Sequence, residues 1–158
     1  MKTALLLMLA FGLSAVEMRG VSFDVPADFA AASETPAGTL GAWRAGRAGL
    51  ALAVDTDRVP SATEREAWLA AQRESVLRLG TEAQALSVAT LVINDRAWQA
   101  FDYQLRIGTV RYTQASRSTI TVLRGVPSIV TLSASWPSDD DAAYRGVLEA
   151  SLNSLRLE

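Results

Sequence analysis

Two periodicities alternate along this chain. Val21, Phe23 and Val25 stand at every second position between polar neighbours, the spacing of a strand with one buried face. The same pattern runs through residues 40–45 and 50–55, which pair as a hairpin around residues 44–49, with Leu50, Leu52 and Val54 on one side. A second hairpin is predicted from residues 86–93 and 97–107. It turns at Asn94 and Asp95 and places Phe101, Tyr103, Leu105 and Ile107 on one face. A long stretch rich in threonine, isoleucine and valine follows over residues 109–123, and residues 125–127 turn it into a strand over 128–136. Such short connections between successive strands imply antiparallel pairing.

Two segments carry the helical period instead. Residues 61–79 place Trp68, Leu69, Val76 and Leu79 on one stripe, interrupted by the polar Gln72. Ser61 with Glu64, or Thr63 with Glu66, forms a capping box, and Gly80 is the expected stop. Residues 138–155 repeat the logic, with Ser138 as cap and Tyr144, Val147, Leu148, Ser151, Leu152 and Leu155 as stripe. Each helix has one apolar face to cover. The expected fold is therefore α+β, an antiparallel sheet of about six or seven strands covered by two main helices.

The amino terminus departs from both periods. Lys2 precedes an apolar run over residues 4–16 with small residues at Gly12, Ser14 and Ala15, the layout of a secretory signal. The run is shorter than the roughly 20 residues that span a bilayer. The division expected is a signal over residues 1–15 and one domain over 16–158. Cleavage after Ser14 fits about as well, and the window reaches Gly20. The location implied is exported, periplasmic or extracellular, with no transmembrane span in the mature chain. The chain has no cysteine, so neither a lipid-anchoring cysteine nor a disulfide is available.

Composition narrows the chemistry. A net charge of −2 gives no basic footprint for nucleic acid. There is no histidine, and of the 15 lysines and arginines only Lys2 is lysine. Serine–histidine and cysteine–histidine catalysis, a lysine Schiff base in the mature chain and the nitrogen or sulfur ligands that zinc prefers are all excluded. Remaining chemistry falls to carboxylates, hydroxyls and arginine. No phosphate-binding glycine loop, nucleophile elbow or zinc-protease motif occurs, and no cofactor or metal site is expected.

Five residues stand out as a candidate ligand or partner surface. Trp43 and Trp136 lie near strand ends, where exposed aromatics mark binding sites, whereas Trp68 and Trp98 read as core. Asp55 and Asp57, two apart before Pro60, share a face if extended and pair as an acid and a base on a sugar, or else serve ordinary loop chemistry. Arg111 shares its parity with Arg117, and both, with Arg106, would clamp an anion or sit on a solvated sheet face. The run Asp139, Asp140 and Asp141 lacks the spacing of a calcium loop and reads as the complement of a helix dipole.

The order of elements resembles the PsbP-like and DcrB-like exported domains. The opening strand Val21, Ser22, Phe23, Asp24, Val25 followed by Pro26 and an aromatic at Phe29 carries the likeness. So do the early hairpin, the helix bearing Trp68 and the closing run Ser151, Leu152, Asn153, Ser154, Leu155, Arg156. Phe29 stands where tryptophan is commoner, and the lipid-anchor cysteine of many members is missing. The resemblance implies export and an α/β/α sandwich, not one chemistry. The function expected is a non-enzymatic accessory or interaction domain of the cell envelope, its partner another envelope protein. The alternatives are a module binding a small apolar or sugar ligand between sheet and helix, and a carboxylate-based hydrolase.

Overall fold

A computed structural model describes residues 13–79 and 81–158. Most of the expected signal and the expected helix stop at Gly80 lie outside these residues.

The chain opens with a hairpin, β1 (Leu13–Met18) and β2 (Val21–Pro26), and the short β3 (Ala30–Ala31). A second hairpin follows, β4 (Gly41–Ala45) and β5 (Ala48–Asp55). Helix α1 (Arg65–Arg78) leads into four long strands: β6 (Thr81–Ile93), β7 (Arg96–Ile107), β8 (Val110–Leu123) and β9 (Val126–Pro137). A single 3-10 turn, Ser138–Asp140, feeds helix α2 (Asp141–Leu152), and β10 (Arg156–Leu157) closes the chain.

Seven strands form one antiparallel sheet in the order β3-β4-β5-β9-β8-β7-β6, and β1-β2-β10 form a smaller one. Two-residue turns set the register of the meander. Asn94 (φ 48°) and Asp95 (φ 63°) join β6 to β7, and Arg124 (φ 47°) and Gly125 (φ 82°) join β8 to β9. Positive φ at both central positions gives the turn a twist that matches the strands it joins.

The two faces of the large sheet differ in chemistry. On one, Leu50, Leu52, Val130, Leu132, Ala134 and Trp136 meet Leu148 and Leu152 of α2 and Val21, Phe23 and Val25 of β2 in a single core. On the other, the alternate positions of β8 and β9 are Ser116, Ser118, Thr131, Ser133 and Ser135. Helix α1 lies over this second face, and Leu69 is its one buried residue.

The observed elements depart from the expected ones where tertiary contacts intervene. The capping-box pair survives as a turn: the Ser61 N–H and hydroxyl both donate to Glu64 Oε2, but regular helix begins only at Arg65. Helix α2 starts after Ser138, whose hydroxyl is drawn to Thr113 Oγ1 at 2.9 Å instead of capping. It also ends at Leu152 rather than at Leu155. There Ser154 Oγ donates to the Ser151 carbonyl and accepts the Asp24 N–H at 2.7 Å, tying the carboxyl terminus to β2. Strand β6 begins at Thr81, ahead of the expected residue 86, because residues without alternation are recruited by pairing with β7 through two register shifts. The last three residues of the expected signal, Leu13, Ser14 and Ala15, lie in β1 and pair with β2.

Candidate functional site

A cleft opens between α1 and the large sheet. Its roof is the α1 face carrying Trp68, Leu69, Gln72, Arg73 and Val76. Its floor is Gln99, Phe101 and Tyr103 of β7, Ser116 and Ser118 of β8, and Thr131 and Ser133 of β9. The main cavity holds about 260 Å³. A smaller apolar recess of about 60 Å³ adjoins it between Trp68, Ile120 and Ile129. Past Ser133 the same face continues into an open groove of about 320 Å³ bounded by Arg44, Tyr112, Gln114 and Ser135.

Three local arrangements shape the floor. Phe101 and Tyr103 stack with ring centroids 4.9 Å apart. Their alternate spacing on β7 puts both on this face. The Tyr103 hydroxyl donates to Gln114 Oε1 at 2.6 Å, and a hydrogen bond joins the Ser118 and Thr131 hydroxyls at 2.9 Å. A serine or threonine hydroxyl has one donor and two acceptor sites, so these groups keep capacity for a further partner.

Burial pushes the Tyr103 phenol up to about 12. Folding therefore favours the protonated form. The unfolded chain releases the proton nearer the ordinary value of 10.0, so stability is expected to fall as pH rises between those two values. In a spectrophotometric titration the Tyr103 phenolate should form near its raised value of about 12, and Tyr103→Phe should delete that step. A Tyr103 signal appearing at the ordinary tyrosine value would contradict the burial argument.

No protein-family model matches the chain, and no curated protein matches it in sequence. Solved structures match its shape. A cyanobacterial PsbP from Synechocystis sp. PCC 6803 superposes with a TM-score of 0.63 at 13% identity, covering 94% of each chain. LpqN of Mycobacterium tuberculosis, described as involved in cell envelope biogenesis, gives 0.64 at 11% identity over 92% of this chain and 90% of its own. The Ran-binding protein Mog1p of Saccharomyces cerevisiae gives 0.60 at 13% identity over 94% and 96%. The chain has the PsbP-like fold.

Within the PsbP-like fold the five residues singled out from the sequence do not converge. Trp43 is 8% exposed and Trp136 is 0% exposed, which corrects their placement at the surface. Trp43 packs edge-on to Phe23 with centroids 5.1 Å apart. Trp136 donates Nε1–H to Asp141 at 2.9 Å beneath α2. Strand ends suggested exposure, but the small sheet and α2 close over both. Asp55 and Asp57 are exposed, and the Asp57 N–H donates to Asp55 Oδ1 at 2.8 Å. They form a local loop bond and face no cleft. Arg111 binds Glu82 Oε2 at 3.2 Å at the surface, beside Arg106 on the same carboxylate.

Arg117 is also corrected. It shares the parity of Arg111 as expected, since β8 runs unbroken, yet it is 4% exposed rather than solvated. It pairs with Asp102 at 3.0 Å inside the sheet-α2 layer, while its Nε has no partner among the described residues. The acidic run behaves as a helix start: Arg145, and after it the Trp136 indole, hold the Asp141 carboxyl below the usual carboxylate range.

The residues that sequence reasoning missed are those of the cleft. Trp68 was assigned to the core and is half-buried at the cleft roof. The polar Gln72 in the helical stripe was the signal that could have found it, because a face interrupted by an amide does not seal against a sheet. Among the described residues, no group of three or more acidic side chains is arranged to hold a metal, and no helix is long and apolar enough to cross a membrane.

Proposed function

We propose that the chain is an exported accessory domain of the cell envelope that docks another protein and performs no catalysis itself. The observation that supports docking is the free edge of the large sheet. Strand β6 ends the strand order, so its outer backbone N–H and C=O groups have no ladder partner among the described residues. Register shifts disturb its first half. Residues 87–93 are regular and carry no charge or proline, and Val88 and Val92 are 52% and 74% exposed. Sheet edges are usually blunted by charge, proline or covering elements, and a free apolar edge is the geometry that accepts an extended segment of a partner. The proposed occupant is such a segment, apolar at alternate positions.

Export is supported by Lys2 and the apolar run over residues 4–16. Val16 and Met18 of β1 pack against the core, and Glu17 pairs with Arg124 at 3.3 Å. A cut at or before Ala15 preserves these contacts, whereas a cut near Gly20 removes them. The LpqN neighbour, described as involved in cell envelope biogenesis, is consistent with an envelope role.

A photo-crosslinking residue at position 92 in cells tests both parts. One discrete adduct with an envelope protein is expected from that site, lost when Val88→Lys is added, and the mature chain is expected to begin at or before Val16. Adducts that persist with Val88→Lys, or that form equally from position 57, would overturn the docking reading. A chain that keeps Met1 in the cytoplasm would overturn export.

A further inference from the structure

We infer that the cleft between α1 and the large sheet is a binding site for a saccharide that carries a carboxylate. The inference is independent of the β6 edge and stands if docking there fails.

The first ground is the contrast between the two faces of one sheet. Beneath α2 the sheet offers leucine, valine and tryptophan and is sealed. Beneath α1 it offers hydroxyls, and the helix leaves a cavity of about 260 Å³. A helix whose only task was to cover the sheet would bury an apolar stripe, and α1 has one buried residue. Ser116 and Ser133 donate to the Phe101 and Ala51 carbonyls and Ser118 bonds Thr131, so these hydroxyls are held in place and keep acceptor capacity for a ligand.

The second ground is the arrangement of aromatics. Trp68 stands on the roof and the stacked pair Phe101 and Tyr103 on the floor. Apolar faces bordered by hydroxyl and amide groups complement a sugar ring, which has apolar C–H faces and a hydroxylated rim. A plain hydrocarbon would leave Gln99, Ser118, Thr131 and Ser133 without added partners.

The third ground is charge. The charged residues that line the cleft and its open groove are Arg65, Arg73, Arg44 and Arg47, and among the described residues no carboxylate lines either. Arg44, Arg65 and Arg73 make no ion pair or side-chain hydrogen bond among the described residues. The chain as a whole is net negative, so an all-cationic lining is a local feature. Arginine recognises carboxylates through two parallel N–H bonds, which assigns the anionic group of the ligand to the rim and its ring to the aromatic floor.

The test titrates the purified mature protein with trigalacturonate, with maltotriose as a neutral saccharide and citrate as an anion without a ring. Trp43, Trp98 and Trp136 are buried and Trp68 is not, so the change in indole fluorescence should come from Trp68 and vanish in Trp68→Phe. Titration calorimetry should show saturable binding of trigalacturonate, weakened about tenfold by Arg73→Gln and by Trp68→Ala, the size of one lost charged or stacking contact. Arg73 is a half-buried helix residue with no ion pair or side-chain hydrogen bond among the described residues, so its variant should keep the wild-type circular dichroism while losing affinity. The inference is overturned if trigalacturonate gives no saturable signal, if maltotriose or citrate binds as tightly, or if Arg73→Gln and Trp68→Phe leave the titration unchanged.

Discussion

Asp102→Ala is expected to destabilise the protein by about 3–5 kcal/mol, the cost of leaving a buried charge without its counter-ion. Asp102 on β7 faces Arg117 on β8, with Nη1 to Oδ1 at 3.0 Å, and the same Nη1 donates to the Ser116 carbonyl at 2.9 Å. The Arg117 side chain is 5% exposed and that of Asp102 is 17% exposed. Arg117 Nε already lacks a partner among the described residues. Removing the carboxylate strands a guanidinium that cannot lose its proton.

The reverse change should cost less. Arg117→Met leaves Asp102, which keeps some access to water, and fills part of the vacated volume with apolar atoms. The double variant Asp102→Ala with Arg117→Met should recover most of the loss, because replacing a buried pair by apolar side chains is often close to neutral. Urea unfolding read at the midpoint, with the slope unchanged, checks the series. If Asp102→Ala alone loses less than about 1 kcal/mol, the pair behaves like a surface bridge and the burial argument fails.

Trp136→Ala carries the second large effect, again about 3–5 kcal/mol, from a large cavity in a close-packed core. Trp136 lies at the end of β9 and is fully buried. Its indole N–H holds Asp141, the first residue of α2, and the Arg145 guanidinium lies 5.5 Å from its ring centroid. The ring thus fixes where α2 begins as well as filling space below it. Trp136→Phe keeps much of the volume and loses the bond to Asp141, for which roughly 1–3 kcal/mol is expected. A midpoint for Trp136→Ala as high as that of Trp136→Phe would show that the cavity collapses without cost.

The two effects also distinguish how well this chain can be read from its residues. The strands of the meander were legible because turn chemistry and alternation agree: Asn94 and Asp95 take the positive φ that a two-residue hairpin demands. The core strand β9 was legible because Val130, Leu132, Ala134 and Trp136 alternate with Thr131, Ser133 and Ser135. Alternation names two faces, however, and does not say which element covers each. That is why the hydroxyl face of β8 and β9 gave no hint of a cleft. Only the placement of α1 over it, with Leu69 inward and Trp68 at the rim, turns those serines and threonines into a floor.

Exposure was the property least legible. Trp43 and Trp136 were expected outward from their positions near strand ends, but an end of one strand is the middle of a layered molecule when a second sheet and a helix pack there. Arg117 was expected on a solvated face by its charge, yet Asp102 stands on the neighbouring strand and makes burial tolerable. Pairings of this kind join residues 15 apart in sequence through register, which composition does not encode.

The sequence by itself determined the order of the long strands and the two helices, though not the short β1, β3 and β10, and the chemistry that is out of reach without histidine, cysteine or a second lysine. These follow from local rules: backbone preference, periodicity and the functional groups present. The tertiary structure decided which tryptophans are core, which arginine is buried, where α2 starts and stops, and that one sheet face stays open beneath α1. Those follow from burial and pairing between distant segments, whose energies depend on what lies opposite each side chain and not on its neighbours in the chain.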